Sequence, residues 1–340
     1  MLDNSRKQIS IWLTAAFALI FIMVIVGGIT RLTKSGLSMV EWHPISGVIP
    51  PTTDIEWEEE FEKYKQFPEY KKINSNMTLA QFKFIFFWEY IHRLIGRLLG
   101  IFFIIPFCWF LFKKMLIPPL IKNLLVMFFL GALQGLFGWY MVKSGLVDTP
   151  HVSHYRLAVH LSLAFSLLSY ILWVLLKINQ QYIQFSIKET KDSLKPIINW
   201  ILAILILQII YGAFTAGLKA GYGWNTFPKM AGQWVPKGLF SISPWYLNLT
   251  ENNFTVQFIH RMLGWILSMV IPGFWSYSQK FNLSDQHKKA LDWLLYALII
   301  QFLLGISTLI MVVPVWLGVL HQAGAVVLLT VAVYNRYLTS

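Results

Sequence analysis

Eight apolar segments dominate this 340-residue chain, and each is long enough to cross a lipid bilayer. A helix needs about 20 apolar residues to span the hydrocarbon core. The segments lie at 11–30, 84–112, 119–142, 155–177, 197–218, 255–278, 290–313 and 315–335. We therefore predict an all-α integral membrane protein with eight transmembrane helices. The first segment is read as a span, because it lacks the cleavage site of a signal peptide.

The composition excludes an ordinary soluble domain. Hydrophobic residues make up 56% of the chain and charged residues only 13%, against about 25% charged in soluble domains. A soluble fold of this size would expose large apolar patches. Cys108 is the single cysteine of the sequence, so the chain can form neither an internal disulfide nor a thiolate metal site.

The placement of charge predicts the orientation of the chain. The net charge is +12, and basic residues mark one set of short connections, while half of the 16 acidic residues lie between Glu41 and Glu69. The positive-inside rule then places both termini in the cytoplasm. We attribute the basic excess to this bias and predict no nucleic-acid partner. Ten residues precede the first span, which favours a bacterial inner membrane over the mitochondrial inner membrane.

The two halves of the chain resemble each other, which indicates a duplicated unit. The matches are Gly27, Thr30, Lys34 and Gly36 with Gly212, Thr215, Lys219 and Gly221 at an offset of 185, residues 87–100 with 255–268 at 168, residues 133–142 with 303–312 at 170, and His160 with His321 at 161. Each unit has four spans, an even number, so both have the same orientation. We predict two tandem pseudo-symmetric four-helix bundles, at 1–180 and 181–340.

Four histidines recur in this duplication, each toward the outer end of an even-numbered span. His92 and His160 belong to the first bundle, and His260 and His321 to the second. A single such histidine is ordinarily a satisfied polar residue, but ionisable residues in a membrane are costly and usually functional. Two imidazoles on facing helices can bind one haem iron in the core of a bundle. A non-haem site would normally add carboxylates or thiolates, so we expect one haem per bundle.

The two bundles differ in one acidic residue. Glu89 stands three residues before His92, on the same helix face, whereas Gln257 stands three residues before His260. A carboxylate can exchange protons with a substrate and an amide cannot, so the first bundle is predicted to react and the second to transfer electrons. The alternative role of Glu89 is an ion pair with Arg93, at i+4.

The arginines and the remaining histidines have less specific roles. Arg261 repeats Arg93 without an acidic partner, so both arginines are candidate partners of haem propionates. His43, His151 and His154 lie in outer loops, where we expect a surface or loop-anchoring role.

At these residues the sequence resembles the haem A synthase family over nearly its whole length. The stretches that carry the resemblance are TRLTKSGLSMVEWHPISGVIPP (30–51), MTLAQFKFIFFWEYIHRLIGR (77–97), HYRLAVHLSLA (154–164), FIHRMLGW (258–265) and LGVLHQAGA (317–325). The chain is most similar to the mitochondrial and alphaproteobacterial class, which lacks the outer-loop cysteine pair of other members. Cys108 lies outside that loop, so thiol chemistry there is not implied.

The resemblance implies an oxidoreductase that converts haem O to haem A for terminal oxidase assembly, by hydroxylating a ring methyl group twice to give a formyl group. Glu89 would be the catalytic carboxylate, His92 and His160 would hold the substrate haem, and His260 and His321 would bind haem B. Haem O synthase and an electron carrier would be partners. Two alternatives remain at this point, a non-catalytic di-haem b-type cytochrome and a transporter built on parallel repeats.

Overall fold

The computed structural model describes residues 3–41, 49–146 and 152–340, and its long elements are helices. The helices are α1 Asp3–Leu32, α2 Asp54–Lys65, α3 Pro68–Lys72, α4 Leu79–Phe112, α5 Pro118–Gly145, α6 His154–Ile178, α7 Lys188–Gly217, α8 Asn253–Ser278, α9 Asp285–Ile310 and α10 Val315–Leu338. All but α2 and α3 are long and apolar enough to span a membrane. The prediction of an all-helical, multi-pass membrane protein with eight spans is confirmed.

Three of the spanning helices begin at a side chain that caps them. Thr78 starts α4 with a capping box, in which its hydroxyl accepts from the backbone N–H of Gln81 and the Gln81 side chain accepts from the backbone N–H of Thr78. Asn252 caps α8 through two backbone N–H groups, and Ser284 caps α9. These side chains satisfy N–H groups that the helix itself leaves unpaired.

The helices pack in sequential pairs that also join the two halves. α1 packs on α4, α5 on α6, α7 on α8 and α9 on α10. α1 and α6 also contact α10, and α6 contacts α7, so the main apolar core contains Val24, Phe165, Ile198, Ile271 and Leu329 from both halves. The repeated pairing is compatible with two bundles. The main apolar core nevertheless contains residues from both sides of position 180, so the two halves share it. The division into units at 1–180 and 181–340 stays a prediction.

The two halves differ in how closely their second and third spans pack. α8 lies along α9, whereas α4, the equivalent of α8, touches α5 at few positions. The central part of α4 is also largely uncovered by protein, and Ile101, Ile105 and Trp109 are each more than half exposed on its surface. The first half therefore presents an open apolar seam toward the bilayer.

An aromatic cap covers the outer end of α4. Phe61 and Tyr64 of α2 are buried against Phe82 and Phe86, and the rings of Phe61 and Phe82 stack with centroids 5.0 Å apart. This contact gives the acidic first loop an apolar underside that packs on α4.

One acidic residue of this cap is buried. Glu69 is 7% exposed, and the hydroxyl of Tyr64 donates to its Oε2 atom at 3.2 Å. Burial, followed by the negative charge of Glu89, raises the pKa of Glu69 to about 7. Glu69 therefore takes up a proton in the physiological range of pH.

A second close contact joins the outer ends of α6 and α7. A Cβ atom on Gly217 would lie 2.4 Å from the Cβ atom of His154 and 2.6 Å from its Cα atom. Because the neighbour includes backbone, a side chain at 217 could not be accommodated by a rotamer change. Only glycine allows the two helices to approach this closely.

We expect Gly217→Ala to destabilise the protein by about 1–3 kcal/mol, the usual cost of overpacking. The control is Gly135→Ala in α5, where an added Cβ atom would meet nothing within 4 Å. Thermal unfolding in detergent measures the difference. Equal midpoints for the two variants would mean that the α6–α7 contact does not depend on glycine.

We expect Glu69→Gln to remove a pH dependence of stability. The folded-state pKa of about 7 lies above the ordinary value of 4.5, so the protonated carboxyl stabilises the fold below pH 4.5 and this contribution is lost as the pH rises through 7. The wild type should therefore lose more stability than Glu69→Gln between pH 5 and pH 8. Exposed Glu59→Gln is the control, and it should behave as the wild type does.

Candidate functional site

Each of the four predicted haem ligands packs its imidazole against a glycine of the preceding long helix. A Cβ atom on that glycine would lie a few tenths of an ångström inside normal contact, so a larger residue would push the ring away. The pairs and the distances from the added Cβ atom to the nearest ring atom are Gly27 with His92 at 3.1 Å, Gly138 with His160 at 3.1 Å, Gly212 with His260 at 3.1 Å, and Gly305 with His321 at 2.9 Å.

The histidines of each half lie near each other. The ring centroids of His260 and His321 are 6.4 Å apart and their planes cross at 87°. Two imidazoles on opposite sides of one metal, with nitrogen–metal bonds of about 2 Å, have centroids about 6 Å apart. His92 and His160 also interact electrostatically across the first half. The second pair therefore has the spacing that two ligands of one metal require.

The first turn of the outer loop and Arg93 hold the carboxyl group of Glu89 in place. Its Oε2 atom accepts from the backbone N–H of Ser38 at 2.7 Å, the Ser38 hydroxyl at 2.8 Å and the backbone N–H of Met39 at 2.8 Å. Its Oε1 atom accepts from Arg93 at 2.6 Å, and Glu89 is 2% exposed. The alternative prediction of an ion pair with Arg93 is therefore confirmed, and the pair lies within a larger network.

The same loop geometry recurs around Gln257, without the carboxylate. Arg93 donates to the carbonyl oxygens of Met39 and Glu41, and Arg261 donates to those of Trp224 and Thr226. The repeat offset of 185 relates these carbonyl groups to each other. Both arginines thus fix an outer loop by its backbone, a role that sequence reasoning missed, and their pairing with propionates stays a prediction.

The duplicated motif that begins at Gly27 and Gly212 forms the turn after α1 and α7. Lys34 and Lys219 both adopt the left-handed backbone conformation, with φ of 57° and 56°. In the first half this turn brings the N–H groups of Ser38 and Met39 to Glu89. The repeat was visible in the sequence, but it gave no indication that Ser38 binds Glu89.

The other histidines have separate positions. His154 is buried at the start of α6, with its Nε2 atom 3.8 Å from Oε1 of Glu251, so it anchors the outer end of the α6–α7 contact. His43 and His151 lie outside the described residues. Within residues 3–41, 49–146 and 152–340, no group of three or more His, Cys, Asp or Glu side chains could hold a metal ion.

Residues 10–333 match the COX15-CtaA model, which describes a cytochrome oxidase assembly protein. The heme A synthase of Nitrosospira multiformis is 48% identical over 98% of this chain and 93% of its own length. Those of Flavobacterium psychrophilum and Parvibaculum lavamentivorans are 47% and 42% identical, over 98% of this chain and 98% and 94% of their own lengths. With its eight spans and paired histidines, the chain belongs to the COX15-CtaA family of cytochrome oxidase assembly proteins.

Proposed function

We propose that this protein is a haem A synthase, a membrane oxidoreductase that converts a ring methyl group of haem O to a formyl group by successive hydroxylation. The full-length similarity to heme A synthases supports this function. The observation that carries the assignment of the site is the contrast between Glu89 and Gln257 in otherwise repeated surroundings.

In this proposal His92 and His160 hold the substrate haem O in the first half, and His260 and His321 bind a haem B cofactor in the second. The donor set fits, because neutral imidazoles are common axial ligands of haem iron. The Nδ1 atoms of His160 and His260 are buried and have no hydrogen-bond partner among the described residues. When bound, the haems supply the redox chemistry, and the protein contributes position and charge.

Glu89 is the catalytic carboxylate of the proposal. Four hydrogen bonds hold its two oxygen atoms in place, three of them at Oε2 and one at Oε1. A carboxylate fixed in this way can accept a proton at Oε1 when the Arg93 bond loosens, and its charge stabilises a positive charge that develops nearby. Gln257, which donates to the carbonyl of Trp224, offers neither function.

Arg93 and Arg261 are the proposed partners of haem propionates. Arg93 follows Glu89 by four residues and a ligand histidine by one. Arg261 follows Gln257 by four residues and a ligand histidine by one. The Nε atom of Arg261 is buried without a hydrogen-bond partner in the described part of the chain, so this guanidinium retains a donor for a carboxylate. Each arginine would then connect a propionate to the outer loop that it already fixes.

The placement of the protein follows from the same proposal. The basic residues Arg6 and Lys7 lie at the start of α1 and Arg336 at the end of α10, which supports cytoplasmic termini in a bacterial inner membrane. We propose that residues 1–180 carry the substrate site and residues 181–340 the cofactor site. Haem O synthase and an electron carrier are the proposed partners. The similarity to heme A synthases favours this enzyme over an electron-transfer cytochrome or a transporter.

We expect Glu89→Gln to retain haem B but to form haem A at less than one hundredth of the normal rate, in keeping with the loss of a general acid–base group. Chromatography of haems extracted from the purified protein measures both effects. Glu251→Gln, which removes an acidic residue at the outer end of the second half, is the control and should form haem A normally. Normal haem A formation by Glu89→Gln would contradict the role of Glu89.

We expect the two histidine pairs to bind different haems. His260→Ala and His321→Ala should lose haem B, because the remaining axial ligand cannot hold it alone. His92→Ala and His160→Ala should retain haem B and fail to accumulate haem O or haem A. The absorption spectrum and extracted pigments distinguish these results. Two haem B molecules in the wild type, with no haem O or haem A when both are supplied, would instead indicate a di-haem cytochrome.

A further inference from the structure

Three of the four glycines beneath the histidines are preceded by a glutamine. In α5, α7 and α9 the glutamine stands four residues before the glycine, so both lie on the helix face that meets the imidazole. The pairs are Gln134 with Gly138, Gln208 with Gly212, and Gln301 with Gly305. The glutamine and glycine of α5 correspond to those of α9 at an offset of 167. The sequence match between residues 133–142 and 303–312 has an offset of 170, which differs by three residues. The motif was missed in the sequence for that reason.

Two of these glutamines contact the histidine that packs on their glycine. Nε2 of Gln134 lies 3.2 Å from Nε2 of His160. Nε2 of Gln301 lies 3.2 Å from Nδ1 of His321 and also donates to the carbonyl oxygen of that residue at 2.9 Å. Gln208 stands at the equivalent position, four residues before the glycine that meets His260. The imidazoles of His160 and His321 therefore each have one nitrogen at an amide nitrogen.

The remaining atom of each amide is unused. The Oε1 atoms of Gln134, Gln208 and Gln301 are buried and have no hydrogen-bond partner among the described residues. A buried polar atom without a partner destabilises the fold, so three equivalent ones require an explanation. An imidazole that binds a metal through one nitrogen carries N–H on the other, and that N–H is normally donated to a carbonyl or carboxylate oxygen. A half-turn of the Gln134 amide would present Oε1 to that N–H, and Gln301 would do the same after giving up its bond to the carbonyl oxygen of His321.

The fourth position breaks the pattern. Met23 of α1 stands four residues before Gly27, at the repeat offset of 185 from Gln208. The two side chains occupy equivalent places, because an added Cβ atom on Gly96 would lie 3.4 Å from Cε of Met23 and one on Gly264 would lie 3.5 Å from Nε2 of Gln208. A methionine thioether is at most a weak acceptor. His92 thus has no amide at the place where the other three histidines have one.

We propose that Gln134, Gln208 and Gln301 are positioning residues for the axial histidines, and that the replacement of this glutamine by Met23 leaves His92 as the weakest axial ligand. The inference rests on the proposed haem sites. An accepted N–H bond orients the ring and makes the coordinating nitrogen a better donor. His160, His260 and His321 gain this support. The less supported ligand, His92, is on the same helix face as Glu89.

The test exchanges glutamine and methionine, the two residue types that this chain has at the equivalent positions 208 and 23. Full-length Gln208→Met and Gln301→Met, purified with bound haem B, should each show a higher midpoint potential for that haem, because loss of the N–H acceptor weakens donation to the ferric state. The g values of the low-spin ferric haem should also change. Met23→Gln, with haem O bound in the first half, should lower the potential of that haem. Spectroelectrochemistry and electron paramagnetic resonance provide these readouts without measuring turnover.

Two further variants separate positioning from a general effect on structure. Gln322→Met removes a glutamine whose amide donates to the carbonyl of Val24 at 2.8 Å, and it should leave both potentials unchanged. Gly324→Ala keeps Gln301 but places a Cβ atom 2.2 Å from its Oε1 atom, so it should displace the amide and reproduce the shift of Gln301→Met.

The proposal is supported if the midpoint potential shifts in Gln208→Met, Gln301→Met and Gly324→Ala but not in Gln322→Met. Selective loss of haem B from the first three variants also supports it, provided that they remain monodisperse. Unchanged potentials and g values with full haem occupancy overturn it, and so do equal shifts or equal haem loss in Gln322→Met. In either overturning case the wild type still binds haem and forms haem A, so the failure differs from a failure of the proposed function.

Discussion

The seating of an imidazole on a bare glycine backbone is the contact on which the interior of this protein depends. It occurs four times, and in each case the glycine and the histidine come from consecutive long helices. The contact fixes the separation of those helices and the depth of the ring at once. A membrane offers little hydrophobic drive for helix association, so small residues at such crossings determine which helices can meet. The rest of the packing is built around these four points.

A second constraint is the need to satisfy a buried carboxylate. Glu89 cannot draw on bulk water, and its partners come from the turn after α1 and from Arg93. Because Arg93 also holds the carbonyls of Met39 and Glu41, the ordering of the outer loop and the charge state of the site are linked. Glu69 adds another acid to the same side, and Glu89 contributes to its raised pKa. The aromatic cap and the site are therefore electrostatically connected.

The sequence predicts the spans well because the length of an apolar run is a local property. It also predicts the Glu89–Arg93 ion pair, since i+4 spacing on one helix is local too. The partners of Glu89 in the outer loop and of the histidines across helices were not predicted, because they depend on the register between elements. The offset of 170 for residues 133–142 illustrates this limit, since a shift of three residues is close to one helical turn and preserves the apolar pattern. The burial of Glu69 depends on α2 and α3 folding back on α4.

Around the histidines, two positions distinguish the polar chemistry of the two halves. Glu89 is equivalent to Gln257 in the repeat, and Met23 is equivalent to Gln208. These residues lie on α1 and α4 in the first half and on α7 and α8 in the second. The glycine seats, the left-handed turns and the arginine-held loops are shared. Each molecule therefore contains an internal control for the site that carries the carboxylate. The nearly matched second site is made by the same fold under the same membrane conditions. The two sites are present in a fixed ratio of one to one.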